Sequence, residues 1–458
     1  MTRAGARRPA PARRSSHRPG HPPRKRVAAV FGTIARLGLV AVVVTVALGE
    51  TSGSLSAPGG LLIAVGRLGG FVGAYLMMVM VVLIARIPWL ERAVGQDQLV
   101  QWHRKVAPWA MGCITAHVVF ITLGYAQSAR SGVLSQLWTF VTSYPDILAA
   151  MAAFGLLVMA AVTSIRIARR RMRYETWWIV HLYTYLGLTL AFAHQIATGV
   201  TFVRHPIARA IWMSVWILTA GTVIVCRILH PLGRSLRHQL RVVSVTEEVP
   251  GVWVVTCRGR RLDRLAVSGG QFFRWRFLTK SLWWHAHPYS LSALPKPPYM
   301  RLTVKASGDQ SAAVASLRPG TRMMIEGPYG AFTRHARVRG RVALIAAGVG
   351  VTPLRALLED LPAAVDVVVM LRGTRREDLV HREEVAALVA QRGGRLLEVV
   401  GERNAVRLDD QEIDRLIPDI ALRDVFVCGP EGFSTSIVSV SRRLGVPPSH
   451  IHRESFAF

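Results

Sequence analysis

Two long apolar stretches of this chain each carry a pair of histidines, His103 and His117 in the first, His181 and His194 in the second. The pairs are separated by 14 and 13 residues. In helices those gaps span roughly 21 and 19 Å, most of the ~30 Å thickness of a bilayer's hydrocarbon core. Ionisable residues are costly inside membrane spans and mark functional pathways there. If two such helices run side by side in the same direction, His103 faces His181 at one depth and His117 faces His194 at another. Two imidazoles meeting across a bundle at each of two depths suit two bis-histidine haems stacked through a membrane. Packing is the plain alternative for any one histidine; four at matched spacing argue together. Along a regular helix 14 positions return to within about 40° of the starting face and 13 do not. The second helix is therefore expected to tilt, bulge or kink.

The rest of the composition agrees with a membrane protein. At 458 residues, 51% hydrophobic and mean hydropathy +0.31, the chain is too long for one domain and too apolar to be wholly soluble. The net charge of +30 would suggest nucleic acid in a soluble chain. Here the cations gather in a tail and in loops beside apolar spans, which points to orientation and anionic lipid, with no nucleic-acid partner. Cys113, Cys226, Cys257 and Cys428 stand far apart without a CxxC, so no zinc site, iron–sulfur site or disulfide is implied.

Residues 1–26, with nine Lys or Arg, read as a disordered basic tail. Val27–Leu48 is longer than a signal-peptide core and reads as an uncleaved span. Further spans are expected at Leu61–Ala85, Val100–Tyr125, Ile147–Ile165, Trp177–Ala197 and Ala208–Leu229, a six-helix bundle over 27–230. Basic loops (1–26, Arg86–Lys105, the five arginines of Arg166–Arg173, and the segment after Arg227) alternate with loops carrying no basic residue or one, Arg130 or Arg204. The positive-inside rule then places both termini in the cytoplasm. His103 and His181 lie on that side, His117 and His194 toward the outside. Arg67, near the outer end of the second span, either snorkels to the interface or partners an outer haem propionate or the reduced acceptor.

A short hinge, Pro231–Gln239, leads to β-type alternation from Leu240, read as a small antiparallel barrel over 240–335. Its His287-Pro288-Tyr289-Ser290-Leu291-Ser292 run offers a flat ring (Tyr289) and a hydroxyl (Ser290) for a flavin. Lys305, Gly308 and Ser311 then supply a cation, close backbone approach and a hydroxyl suited to a pyrophosphate. Residues 340–458 read as an α/β nucleotide-binding domain. The apolar strand beginning at Arg341 runs into Gly348-Val-Gly350-Val-Thr352-Pro353 and a helix, which holds a pyrophosphate on backbone amides. Arg372, Arg375 and Arg376 follow a second strand and suit an adenosine 2′-phosphate, favouring NADPH over NADH. Cys428-Gly429-Pro430 follows a third strand; alone, Cys428 would be a buried structural thiol.

The histidine spacing resembles the ferric reductase and NADPH oxidase family of transmembrane flavocytochromes b, in which these four positions ligate two b haems. The resemblance continues beyond the bundle. His287-Pro288-Tyr289-Ser290 resembles the R-x-Y-S flavin motif of ferredoxin reductases in the HPF/Y-[ST] form of the membrane enzymes. Lys305–Ser311 is similar to the family's K-x-x-G-x-x-S, and Glu326-Gly327-Pro328-Tyr329-Gly330 to the turn closing its FAD domain. Gly348–Pro353 resembles its G-x-G-x-T-P, and Cys428-Gly429-Pro430 its C-G-P beside the nicotinamide. The terminal Glu454-Ser-Phe456-Ala-Phe458 resembles an E-x-F whose aromatic covers the flavin, making Phe456 the candidate and Phe458 a second. Two positions depart: Ile121 stands where the oxidases carry a histidine, and Gly187 where an aromatic often lies between the haems. The resemblance implies a relay in the cell membrane from cytoplasmic NAD(P)H through FAD and two haems to an outside acceptor, a ferric chelate or oxygen. It requires no acid–base dyad. A membrane electron carrier serving a periplasmic protein partner shares the same wiring.

Overall fold

The computed structural model describes residues 23–144, 146–198, 205–402 and 405–454. Phe456 and Phe458, Arg204 and most of the basic tail lie outside the described residues; within that tail, helix begins at Pro23. The apolar stretches form α1 (Pro23–Leu48), α2 (Gly60–Ile84), α4 (Gln96–Ser128), α6 (Ile147–Ser164), α7 (Tyr174–Thr198) and α8 (Pro206–Ile224). Shorter helices α3 (Pro88–Val94) and α5 (Val133–Ser143) flank α4.

Among the described residues five helical segments are long and apolar enough to cross a membrane, in α1, α2, α4, α6 and α8 with its continuation. The expectation of six is met in helix number but not in apolarity. α7 is 25 residues long, yet Glu175, its histidines and its tyrosines and threonines dilute it. α7 is one unbroken helix over Tyr174–Thr198, and Pro108 falls inside α4.

Close packing of α2 on α4 rests on Gly66, Gly69, Gly70 and Gly73, whose i, i+3, i+4, i+7 spacing sets them on one face. A Cβ on Gly66 would fall 2.8 Å from Ile121, on Gly69 2.9 Å from the Cys113 carbonyl, on Gly70 2.6 Å from His117 Nδ1, and on Gly73 2.7 Å from Ile114. No larger residue fits there without parting the helices. α6 and α7 form the second close pair, and a Cβ on Gly187 would sit 3.3 Å from the Ala153 carbonyl. The small residue at 187 therefore serves helix contact.

The segment expected as a hinge is helical. α8 passes through a π-turn (Val225–Leu229) into α9 (His230–His238). Pro231 follows directly on the π-turn, an irregularity of the kind that accommodates a proline within a continuous helical run. The helix stops at Gln239, which takes a left-handed φ of 44°. Arg227 donates to the Ile84 carbonyl at 2.6 and 3.1 Å, satisfying a free acceptor at the end of α2.

The region expected as a barrel consists of two three-stranded antiparallel sheets. β1 (Arg241–Val249), β2 (Val252–Arg258) and β5 (Tyr299–Lys305) form one; β4 (His287–Ser290), β3 (Phe272–Phe277) and β6 (Met323–Tyr329) form the other. Isolated bridges at Arg241–Arg322 and Leu291–Leu302 link them around a core that includes Phe273, Trp275, Phe277, Leu302 and Ile325. The α/β domain has a parallel sheet in the order β11-β10-β7-β8-β9: Ile451–Glu454, Asp424–Cys428, Arg341–Ala347, Asp366–Gly373 and Arg395–Val400. α10 (Val351–Asp360), α11 (Arg382–Ala390), α12 (Asp410–Leu416) and α13 (Glu431–Arg443) connect the strands. Both faces are covered, which explains continuous apolar runs such as Val342–Ala347.

Gly70→Leu should cost about 1–3 kcal/mol through overpacking, read as a lower unfolding temperature of the detergent-solubilised protein. An unchanged temperature would mean that α2 and α4 do not sit at this distance.

Candidate functional site

The His103 and His181 rings lie 6.2 Å apart between centroids, with planes at 71°. Two metal–imidazole bonds of about 2 Å each, plus the half-ring behind each nitrogen, come to about that separation. His103 Nδ1 is 3.2 Å from the Met80 carbonyl, and His117 Nδ1 is 2.8 Å from the Gly66 carbonyl. A carbonyl only accepts, so each neutral ring donates from Nδ1 and keeps its Nε2 lone pair for a metal. His194 lies on α7, 13 residues beyond His181. Among the described residues no group of three or more His, Cys, Asp or Glu could hold a metal ion. His103 and His181 would hold an iron whose other ligands come from a porphyrin. At the far end of α2, Arg67 pairs with Glu50 at 3.1 Å.

The flavin motif forms β4 and the residues just after it. The His287 and Tyr289 rings stack 5.9 Å apart at 20°, and Trp275 Nε1 donates to the Tyr289 carbonyl at 2.9 Å. Burial, with His285 and Arg274 nearby, lowers His287 to about 4, so the ring is neutral at pH 7. Its Nε2 is buried and has no hydrogen-bond partner among the described residues. Burial also raises the Tyr289 phenol. A stacked aromatic surface beside Pro288 with an orphaned nitrogen fits a flavin. Ser290 is buried at the end of the strand. Ser292 does not join this surface: it is fully buried, and its hydroxyl accepts from Arg301 Nε at 3.2 Å. Arg301 in turn grips Glu384 at 2.6 and 2.7 Å, so Ser292 belongs to the seam between the two domains.

Gln310 Nε2 lies 2.8 Å from His285 Nδ1, which brings the Lys305–Ser311 segment beside the motif. Lys305 is exposed at the end of β5. The Ser311 hydroxyl already accepts from the Ser307 and Gly308 amides at 2.8 and 3.0 Å, so it shapes the turn that presents Lys305.

In the α/β domain the two nucleotide motifs meet. β7 has β8 on one side and β10 on the other, so the strand order switches between β7 and β10. Ligands of open α/β sheets bind in the crevice at such a point. Gly348 has φ +55°, and a Cβ on Gly350 would fall 2.4 Å from the Cys428 carbonyl. One on Gly429 would meet Phe433 at 2.9 Å. Thr352 and Pro353 are buried in the first turn of α10, and Thr352 Oγ1 has no hydrogen-bond partner among the described residues. Pro430 caps the start of α13. Burial raises the Cys428 thiol well above its ordinary range, so it is neutral. Of the three arginines, Arg372 folds back onto the Gly373 carbonyl and Arg376 pairs with Glu398 at 3.0 Å. Arg375 is 73% exposed, with Glu377 4.0 Å away.

A cleft of about 480 Å³ lies where the bundle meets these domains. Gln96, Gln101 and Trp102 line it from α4; Phe272, Phe332 and Glu454 line it opposite. Trp102 precedes His103, and Glu454 is in register with Cys428. Beside it, Arg86 (φ 63°) reaches Glu326 at 3.5 Å and lies 5.1 Å over the Tyr329 ring, while Arg274 meets Glu326 at 3.3 Å. Glu91 is 1% exposed; burial raises it to about 7 against the pull of Arg86, Arg227 and Arg274. The Glu326–Gly330 turn is thus also where the bundle docks. Arg86, Glu91 and Trp102 escape a motif search because their roles arise from contacts between segments distant in sequence.

Comparison with known proteins agrees with this division. Residues 69–192 match the ferric reductase like transmembrane component family, 240–333 an FAD-binding domain family and 344–439 the oxidoreductase NAD-binding domain family. The chain is 30% identical over 184 residues to an NADPH oxidoreductase of Mycobacterium tuberculosis, covering 38% of this chain and 48% of that protein. It is 30% identical over 240 residues to the ferredoxin reductase component of a 3-ketosteroid-9-alpha-monooxygenase of Mycolicibacterium smegmatis, covering 50% and 67%. A glycine betaine monooxygenase reductase subunit of Chromohalobacter salexigens is 26% identical over 185 residues, 37% of this chain and 50% of that protein. The chain therefore spans about half the length of several curated relatives it matches. The FAD/NAD-binding domain of a Vibrio cholerae nitric oxide dioxygenase aligns with TM-score 0.42 and 25% identity over 48% of this chain and 98% of that one. With a ferric reductase-like transmembrane component joined to FAD- and NAD-binding domains, the chain is an oxidoreductase with the domain architecture of the ferric reductase/NADPH oxidase type.

Proposed function

We propose that this protein passes electrons from cytoplasmic NADPH, with NADH as a second donor, through FAD and two b haems to an acceptor outside the cell membrane. The observation that carries the reading is the His103–His181 pair, 6.2 Å apart, one residue from a cleft whose other wall holds Glu454 and Phe272. When bound, FAD converts a hydride into single electrons and the haems carry them singly across the lipid.

The chain's own residues supply placement. Gly348, Gly350 and the start of α10 offer amides and the Thr352 hydroxyl to the dinucleotide, and Arg375 offers its guanidinium to a 2′-phosphate. Tyr289 and His287 give the flavin a flat, neutral bed. His285 follows His287 at 6.1 Å and is coupled to Glu175, near the start of α7, six residues before His181. Arg86 and Arg274, clamped on Glu326, keep the flavin domain against the bundle. The basic loops favour the module end on the cytoplasmic side. Ile121 packs on Gly66 and offers no imidazole near His117, which favours reduction of a ferric chelate over a dedicated oxygen site. Delivery to a periplasmic redox partner is the second reading.

Membranes holding the protein should develop a reduced b-type haem spectrum on addition of NADPH. His117→Ala should remove one of two haems and leave flavin reduction by NADPH intact; loss of neither haem would sink the ligand assignment. Purified protein given NADPH and a ferric chelate should reduce iron without oxygen, whereas activity abolished by superoxide dismutase would mark an oxidase. Arg375→Ala should raise the KM for NADPH about tenfold, the worth of a charge-assisted hydrogen bond of ~1.5 kcal/mol, and leave that for NADH unchanged. An equal change for both donors would remove the phosphate assignment.

A further inference from the structure

His181 is oriented differently from His103 and His117. Where those rings face backbone carbonyls, His181 Nδ1 lies 3.5 Å from the hydroxyl of Ser164, at the end of α6. That hydroxyl has one proton, and it is given to the Ala160 carbonyl at 2.6 Å. Toward its other neighbours Ser164 can therefore only accept. One is the indole of Trp177, whose Nε1, a donor only, is 3.2 Å away. The other is His181, which must bring its proton on Nδ1. Trp177 also stacks on the His181 ring, 5.1 Å between centroids at 21°, and the Arg169 guanidinium lies 4.7 Å over the same indole. One hydroxyl thus receives two N–H groups, and one indole meets both a cation and an imidazole.

We propose that Ser164 and Trp177 are positioning residues for His181, the hydroxyl setting its tautomer and the indole its ring plane, so that Nε2 is presented toward His103. The inference rests on the haem reading above. A hydrogen bond donated from Nδ1 makes the imidazole a more basic ligand, which favours ferric over ferrous iron. The Ser164 hydroxyl therefore holds the potential of the inner haem down. Trp177 lies four residues before His181 on the same face of α7, so stacking and ligation are built on one turn of helix.

The test is a redox titration of the full-length, haem-loaded protein in detergent, following the b-type absorbance of both haems, with low-temperature electron paramagnetic resonance of the oxidised form. Ser164→Ala should raise one midpoint by about tenfold in the reduction equilibrium, ~59 mV for one electron, and leave the other in place. Ser164→Thr keeps the hydroxyl and should return the wild-type midpoint. Trp177→Leu should move the largest g-value of the same haem, because that value follows the relative orientation of the two imidazole planes. Unchanged midpoints in Ser164→Ala with both haems bound, or a lowered one, would overturn the proposal. So would an unshifted resonance in Trp177→Leu. A wild-type protein with two haems that His181→Ala does not reduce to one would instead overturn the ligand reading itself, and this proposal with it.

Discussion

The closeness of α2 and α4 is the constraint on which the rest of the bundle depends. Four glycines on one face of α2 let the α4 backbone come within contact distance, and that approach puts the Gly66 carbonyl 2.8 Å from His117 Nδ1. The hydrogen bond fixes both the ring's tautomer and its plane. A carbonyl already engaged in a helix keeps a second lone pair, so this second bond costs the helix nothing. At the module end Met80 does the same for His103. One helix, lacking ligands of its own, thus sets the geometry of both histidines on its neighbour. Membrane helices gain little from apolar burial against each other, so small residues and backbone acceptors carry the organisation.

From there the order is transmitted to the flavin domain through rigid parts. α8 and α9 form one helical rod, and α9 lies along β6, where Ser235 accepts from the Ile325 amide at 3.1 Å. Arg86 closes the same seam from the other side of the bundle. Its left-handed backbone, unusual for arginine, turns the chain sharply after α2 so that the guanidinium reaches Glu326 and Tyr329. A flexible tether would let the module drift from the His103–His181 pair. A helix on one side and a buried ion pair on the other hold it at the cleft.

Much of this was legible in the sequence, because the signals are local. The apolar stretches became helices within a few residues of their expected ends, and Gly348–Pro353 and Cys428–Pro430 stand at the ends of parallel strands, where a dinucleotide crevice forms. What escaped was set by tertiary contact. The Pro231–Gln239 segment contains proline and glycine and reads as a hinge, yet Pro231 follows on a π-turn that lets the helix continue past it, and α9 is stabilised by docking on β6. Ser292 continues the flavin motif in sequence, but strand alternation and Arg301 direct it into a domain seam. α7 reads as a span by length, and its polar residues are the ones that contact its neighbours: His181, Trp177 and Gln195, which accepts from Trp212 at 2.8 Å. The helix departs from apolarity where it meets its neighbours and where the proposed ligand His181 stands.

Charge along the route follows one logic. His287 is neutral at pH 7 and Cys428 keeps its proton, so these two groups beside the proposed hydride path add no charge of their own. Positive charge is concentrated at the seam, where Arg86, Arg227, Arg274 and Arg276 gather around Glu326 and Glu91. With Glu91 raised to about 7, that cluster is net positive whether or not the carboxyl is ionised. A site that gains an electron beside such a cluster is stabilised in its reduced form. At the far end the cation Arg67 is matched by Glu50 at 3.1 Å, so the field there is weaker. In the relay proposed above, the charge at the seam would favour electron entry at the module end, and departure would depend on the acceptor rather than on a second cationic trap. Such a distribution suits a relay that must fill from one side and empty to the other.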